Sequence, residues 1–143
     1  MTAFYQQLIH MYQASPINGR SRPDLSIASG SASIQVNVDP NDHHAAGALH
    51  GSILFKMLDD SAFFSAQSLE SEVFVVTANF HVYFIKPVTS GRLIAKGTIV
   101  TQTKRQFICD SHVFNEKEEI IAKGSGAFVR SSCRLTDTAG FSR

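Results

Sequence analysis

Residues 51–68 read GSILFKMLDDSAFFSAQS, and this stretch decides the fold. It contains no proline and no glycine after Gly51, and nearly every position is apolar or small, as in a helix that is buried on most sides. Its charged residues are Lys56, Asp59 and Asp60, whose spacings of three and four place them on one stripe of the helix. The pattern predicts one long interior helix with a polar stripe that needs partners or a task.

Strand-like segments lie on both sides of this helix. Residues 24–39 alternate between apolar and polar positions, which predicts one half-buried strand. Four further strands are predicted after the helix, over residues 73–85, 92–103, 105–115 and 119–130. Consecutive strands without crossover helices pair antiparallel. We therefore expect an α+β fold in which one curved antiparallel sheet of about five strands wraps around the long central helix.

The alternation within these strands predicts which side chains face the helix. In residues 73–85 the even positions are apolar and are expected to face the core, whereas Thr77 is expected on the opposite face. These even positions are Phe74, Val76, Ala78, Phe80, Val82 and Phe84. The inward row of the last strand is Ile120, Ala122, Gly124, Gly126 and Phe128. Its two glycines indicate that something packs closely against the sheet there.

The 143 residues, 43% of them apolar, suit a single domain over 1–143. We expect an N-terminal helix and loop over 1–20, and a frayed polar tail over 131–143.

The 13 basic and 12 acidic side chains are scattered, so the composition argues against a nucleic-acid partner. No segment suits a signal peptide or a membrane span, and Cys109 and Cys133 are interpreted as free thiols. These features favour a cytoplasmic location.

Two positions on the long helix suggest chemistry. His50-Gly51 lies at its start, where unpaired backbone N–H groups and the helix dipole can stabilise an oxyanion, although Gly51 could simply begin the helix. Asp59 could be a buried carboxylate that acts on water or on a carbonyl carbon. The alternative is a solvated stripe in which Lys56 and Asp60 form an i,i+4 pair.

The loop before the helix contains Asp42, His43, His44 and His50, residue types that can bind zinc. Their spacing matches no helical histidine pair, and a loop without fixed geometry is a poor template for tetrahedral ligation, so no metal is predicted. The sequence also lacks a Gly-rich phosphate loop, a Gly-x-Ser-x-Gly elbow and a Cys-x-x-Cys pair.

Gly47-Ala48-Leu49-His50-Gly51, with Asp59 nine positions after the histidine, resembles the phenylacetate-type (PaaI-like) branch of the hot-dog thioesterases. The strand end Phe84-Ile85-Lys86-Pro87 and the following Gly91 continue the resemblance, which covers residues 42–130. It implies a hot-dog fold that hydrolyses an aryl- or fatty-acyl-CoA. It also implies no cofactor besides the coenzyme A of the substrate, and a homodimer, or a tetramer of two dimers, with sites shared between two subunits.

The resemblance also implies residue roles. Gly51 would offer its backbone N–H to the thioester oxygen, Asp59 would be the general base or nucleophile, and Thr77 would orient the attacking water. His44 stands where some members have an asparagine that binds the thioester carbonyl. Ser52 replaces the second glycine of the common His-Gly-Gly motif, which leaves a non-catalytic acyl-CoA-binding module as an alternative, beside a hot-dog enoyl-thioester hydratase or dehydratase.

Lys86, Lys104 and Arg105 are candidates for contacts with coenzyme A, and Phe63 is a candidate for an apolar acyl pocket or for simple core. Strict alternation keeps Thr77 away from Asp59, so a bulge, a sheet edge or a second subunit must bring them together. The two-subunit solution is favoured here because the resemblance implies it.

Overall fold

The computed structural model describes residues 2–141. Helix α1 spans Thr2–Ala14, inside the region 1–20 that was expected to hold a helix and a loop. The long helix α2 spans Gly51–Gln67, one residue shorter than the predicted 51–68. The strands are β1 (Asp24–Ala28), β2 (Ser31–Asn37), β3 (Val73–Phe84), β4 (Arg92–Gln102), β5 (Gln106–Phe114) and β6 (Ile120–Arg134). Short 3-10 turns occupy Pro16–Asn18, Pro40–Asp42 and Leu135–Asp137.

The strands form one antiparallel sheet in the order β1-β2-β4-β5-β6-β3. Six strands are present instead of about five, because residues 24–39 contain a hairpin where one strand was predicted. The chain reverses at Gly30, whose φ of 74° lies in the left-handed region that glycine adopts easily. The predicted α+β architecture of a sheet around a central helix is confirmed.

Helix α2 lies against the sheet and buries most of its length in the core. Its buried residues are Leu54, Met57, Leu58, Ser61, Ala62, Phe64, Ser65, Ala66 and Gln67. On β5, the side chains that face α2 are fully buried, namely Phe107, Cys109, Ser111 and Val113. The sheet therefore covers α2 along most of the helix and leaves its charged stripe at one border.

The alternation prediction for β3 is only half right, because the strand contains a β-bulge between Thr77 and Asn79. Val75 is fully buried before this bulge, whereas Phe80 packs against the core after it, so the inward parity changes from odd to even across it. A second irregularity between Val73 and Val75 allows Phe74 to pack against the core as well. Val76, Ala78 and Phe84, predicted to face the core, are exposed instead.

The close packing predicted at the glycines of β6 is confirmed. A Cβ on Gly124 or Gly126 would collide with the ring of Phe80. Ile120, predicted as inward, is 39% exposed because a register irregularity at the start of β6 turns it away from the core.

The C-terminal segment corrects another expectation. Residues 131–134 continue β6, and Leu135 and Phe141 are buried, so the described part of 131–143 is not a frayed tail. Phe141 packs edge-on against Phe4, which anchors this segment to α1. Residues 142 and 143 lie outside the described residues. Among residues 2–141, no helix has the length and apolar composition needed to cross a membrane.

Candidate active site

The loop that leads into α2 is fixed by backbone hydrogen bonds. The His50 N–H donates to the Asp42 carbonyl at 2.9 Å, and the Leu49 N–H donates to the Val88 carbonyl at 2.8 Å. Gly47 has a φ of 83°, which closes a turn beside His44. These contacts hold the start of α2 in a defined position, as an oxyanion site requires.

His50 is the N-cap of α2. Its Nδ1 accepts the Ser52 backbone N–H at 3.1 Å and lies 2.8 Å from the Ser52 hydroxyl. Within residues 2–141, the Gly51 N–H has no hydrogen-bond acceptor. The helix start therefore presents one free amide, at Gly51, together with the positive end of the helix dipole.

The ring of Phe84 covers one side of Gly51. A Cβ at Gly51 would lie 3.1 Å from Cζ of Phe84, closer than most side chains tolerate. A glycine here therefore keeps the amide accessible beside an aromatic wall.

Asp59 lies two turns further along α2 and is half-buried. The Thr77 hydroxyl donates to Asp59 Oδ1 at 2.8 Å within the same chain. The two-subunit solution for this pair was therefore wrong, since the β3 bulge brings Thr77 onto the inner face of the sheet. The hydrogen bond fixes the orientation of the carboxylate and leaves its second oxygen for other partners.

Burial raises the pKa of Asp59 above the usual range of an aspartate, because the charged form loses solvation. The hydrogen bond from Thr77 opposes this effect, the charge of Asp60 adds to it, and Lys56 opposes it. A carboxylate with a raised pKa is a stronger base at neutral pH than an exposed aspartate.

Asp59 opens onto a mostly apolar cleft of about 250 Å³ between α1, α2 and β3. The cleft is lined by Met11, Tyr12, Ser15, Ile17, Asn18, Asp59, Asp60, Phe63, Phe64, Phe74, Val75, Val76 and Thr77. Phe63 lies on the cleft wall, where its ring packs on Phe74 with centroids 5.2 Å apart.

A polar cluster on the α1 side of the cleft was not predicted from the sequence. Lys56 and Asp60 form the expected i,i+4 pair at 2.7 Å, and Tyr12 and Asn18 contact the pair from outside α2. The contact of Tyr12 with Asp60 depends on how α1 docks against α2, so no local signal in the sequence could have indicated it.

The other predicted residues lie apart from Asp59. His44 Nδ1 accepts the Ala46 N–H at 3.0 Å, which leaves Nε2 as its free nitrogen, and its ring centroid lies 6.5 Å from that of His50. His44 thus belongs with Gly51 at the helix start. Within residues 2–141, no group of three His, Cys, Asp or Glu side chains has the geometry to hold a metal ion.

The candidate contacts with coenzyme A lie on exposed surface. Lys86 pairs with Glu119 at 2.6 Å, and Lys104 and Arg105 occupy the β4–β5 turn. The Lys104 carbonyl accepts from Arg130, which ties this turn to β6. The structure therefore assembles two separate groups, Asp59–Thr77–Phe63 and His44–His50–Gly51, with the basic candidates outside both.

A family model described as the thioesterase superfamily matches residues 46–122. The match spans more than half of the chain, so the chain belongs to the thioesterase superfamily and is a thioester hydrolase. The resemblance to the hot-dog thioesterases of the phenylacetate type is thereby confirmed in family and fold.

Individual relatives are distant. The chain is 22% identical over 103 residues to a protein from Saccharolobus solfataricus, a match that covers 72% of this chain and 69% of the relative. It is 30% identical over 80 residues to one from Sulfurisphaera tokodaii, covering 56% of this chain and 59% of the relative. The names of both assign them provisionally to the esterases.

Solved structures match over nearly the whole fold. The PaaI protein from the phenylacetic acid degradation operon of E. coli superposes with a TM-score of 0.84 at 19% identity, covering 93% of this chain and 96% of that protein. A thioesterase from Haemophilus influenzae gives a TM-score of 0.75 at 14% identity, covering 85% and 86%. At these identities the likeness demonstrates the shared fold.

Proposed function

We propose that this thioesterase hydrolyses aryl- or fatty-acyl-CoA to the free acid and coenzyme A. Asp59 acts as the general base or nucleophile, and the Gly51 N–H with the helix dipole stabilises the oxyanion. The observation that carries the proposal is the half-buried carboxylate of Asp59, oriented by Thr77 at an apolar cleft. No cofactor is needed, because coenzyme A is part of the substrate.

The cleft supports binding of the acyl group beside Asp59. Its walls are mostly apolar, and Phe63 and Phe74 offer ring faces to an aryl or alkyl group. The exposed turn with Lys104 and Arg105 is available to the phosphates of coenzyme A. Lys86 lies just after β3, and its exposed pair with Glu119 would have to open for it to bind them. The free Cys109 and Cys133 suit a reducing compartment, and we propose a cytoplasmic location.

The complete site requires a second copy of the chain. Gly51 and Asp59 are eight residues apart on one helix, about 12 Å along its axis, too far for one thioester carbonyl to reach both. Strand β3 is an edge of the sheet and ends with Tyr83 and Phe84, each 57% exposed. A long apolar edge strand is suited to pairing with another copy, which supports a homodimer, or a tetramer of two dimers.

A free-thiol release assay with Asp59→Asn tests the carboxylate. Asparagine keeps the size and the oxygen that accepts from Thr77, but it cannot take a proton or attack the carbonyl. We expect turnover to fall by at least about 100-fold with the fold intact. Unchanged turnover would refute the role of Asp59, and tight acyl-CoA binding by wild-type protein without thiol release would identify a binding module instead.

Gly51→Pro tests the proposed role of the Gly51 backbone N–H as the oxyanion donor. His50 has ψ 138°, the extended conformation that a residue before proline adopts, and the first helical position tolerates proline, so this change removes the N–H with little effect on the backbone. We expect kcat to fall by about 100-fold. Gly51→Ala is the matched control, because it places a Cβ against Phe84 and keeps the N–H. Equal losses in both variants would contradict the oxyanion role.

A further inference from the structure

The polar cluster beside the cleft consists of Tyr12, Asn18, Lys56 and Asp60. Lys56 Nζ donates to Asp60 Oδ2 at 2.7 Å, to the Asn18 side-chain oxygen at 2.8 Å and to the Tyr12 hydroxyl at 3.1 Å. The Tyr12 hydroxyl in turn donates to Asp60 Oδ2 at 2.6 Å. All three donors of the ammonium group are therefore used within the cluster.

The cluster is closed from the α1 side. Tyr12 and Asn18 are 5% and 3% exposed, and the Asn18 amide donates to the Tyr12 carbonyl at 2.8 Å. The side chains of Lys56 and Asp60 are 23% and 19% exposed. An ion pair withdrawn from water to this extent contributes little net stability, because the lost solvation offsets the attraction. The presence of the Lys56–Asp60 pair beside Asp59 is therefore not explained by its contribution to stability.

The position of Lys56 suggests a role for the pair in the function of Asp59. It lies three residues before Asp59 on the same stripe, where a flexible lysine could pair with Asp59 itself and neutralise the base. Its hydrogen bonds point it to Asp60, Tyr12 and Asn18 instead.

We propose that Asp60, Tyr12 and Asn18 form a clamp that holds the Lys56 ammonium group away from Asp59 and so keeps Asp59 available to act on the thioester. All four residues are positioning residues, and the inference rests on the proposed role of Asp59. The positive charge of Lys56 is balanced by the negative charge of Asp60. The Asp59 carboxylate therefore forms no ion pair with Lys56 and has no uncompensated charge beside it.

Within residues 2–141 of the same chain, the other groups that face Asp59 carry no charge. From β3 these are the Thr77 hydroxyl and the apolar residues before it, and from the 3-10 turn they are Ile17 and Asn18. From α1, Tyr12 stays neutral, because burial and then the charge of Asp60 raise its pKa far above the usual range of a tyrosine. The charge balance that this chain provides around Asp59 therefore depends on Lys56 and Asp60.

The test is the pH profile of kcat/KM for a set of near-isosteric variants. Lys56→Met leaves the negative charge of Asp60 beside Asp59 and should move the acidic limb to higher pH. Asp60→Asn releases Lys56 toward Asp59 and should move the limb to lower pH, each by about half a pH unit. The double variant Lys56→Met with Asp60→Asn removes both charges and should return the limb close to that of wild type.

Two further variants sharpen the result. Tyr12→Phe removes one hydroxyl from the clamp and should move the limb in the same direction as Asp60→Asn, but less. Asp137→Asn, in the exposed pair with Arg134, is the matched control and should leave the profile unchanged. If Lys56→Met does not fold, the limbs of Asp60→Asn and Tyr12→Phe decide the matter.

A purely structural cluster would give a different pattern. Activity would then fall in Lys56→Met and Asp60→Asn with no movement of the limb, or with movement in the same direction, and either result overturns the clamp. The Asp59→Asn variant separates the two proposals. If it remains active, the proposed function fails, whereas if it is inactive and the limbs do not move, only the clamp fails.

Discussion

Asp59 occupies a position that lowers the stability of its own charged form. Its carboxylate is half-buried at an apolar cleft, and one hydrogen bond from Thr77 compensates part of the lost solvation. A folded-state pKa above the unfolded value means that the native state binds the proton more tightly. The contribution of Asp59 to stability is therefore greatest below the unfolded pKa and is lost as the pH rises through the folded pKa.

Asp59→Asn should for this reason stabilise the fold at neutral pH, by on the order of 1 kcal/mol. Asparagine carries no charge to desolvate and still accepts from Thr77. The gain should shrink as the pH falls through the folded-state pKa of Asp59 toward the unfolded value, because the wild-type carboxyl then becomes protonated. Urea unfolding at pH 7 and pH 4, at one fixed protein concentration, measures it. A variant that is less stable than wild type at neutral pH would argue against a raised pKa.

At the level of elements, α2 and β4 approach each other more closely than side chains usually allow. A Cβ on Gly97 would meet the carbonyl of Ser61 and lie 2.6 Å from the Ala62 nitrogen, both on the backbone of α2. Backbone atoms cannot yield as the end of a flexible side chain can. The backbone of α2 therefore packs directly on Gly97. This contact sets the distance between α2 and the sheet, and with it the burial of the charged stripe of α2.

Gly97→Ala should push α2 away from the sheet and lower the free energy of unfolding by about 3 kcal/mol. Gly47→Ala is the comparison. A Cβ at Gly47 would have no atom within 4 Å, so the only cost is the backbone strain of its φ of 83°. That change should cost about 1–2 kcal/mol. Urea unfolding of both variants gives the difference, and equal losses would show that the helix does not rest on Gly97.

The sequence predicts the elements better than their contacts. The composition of residues 51–68 was sufficient for α2. The glycines of β6 indicated a close contact without identifying the residue that makes it, which is Phe80. The bulge beside Thr77 was one of the three alternatives but was not the favoured one, because an extra residue in a strand reverses the inward parity without changing the composition. The contact of Tyr12 with Asp60 joins residues 48 positions apart and follows from how α1 is docked, which no local pattern encodes.

At the scale of the whole molecule, the two functional groups lie at different levels of the same helix. In the proposed dimer each Asp59 lies opposite the Gly51 of the other chain, and two-fold symmetry makes the two sites equivalent. The exposed edge of β3 is the surface on which such pairing is proposed. In this arrangement Thr77 supports Asp59 from within its own chain, and the amide comes from the partner.

Mixed dimers test the shared site directly. A heterodimer of one Asp59→Asn chain and one Gly51→Pro chain has one site with both defects and one intact site. Co-expression with two different tags and purification through both isolates this species, which should recover about half of the wild-type turnover per dimer. Each homodimer serves as its own control and should remain inactive. If each chain instead carried a complete site, both sites of the heterodimer would have one defect, and turnover would stay at the level of the homodimers.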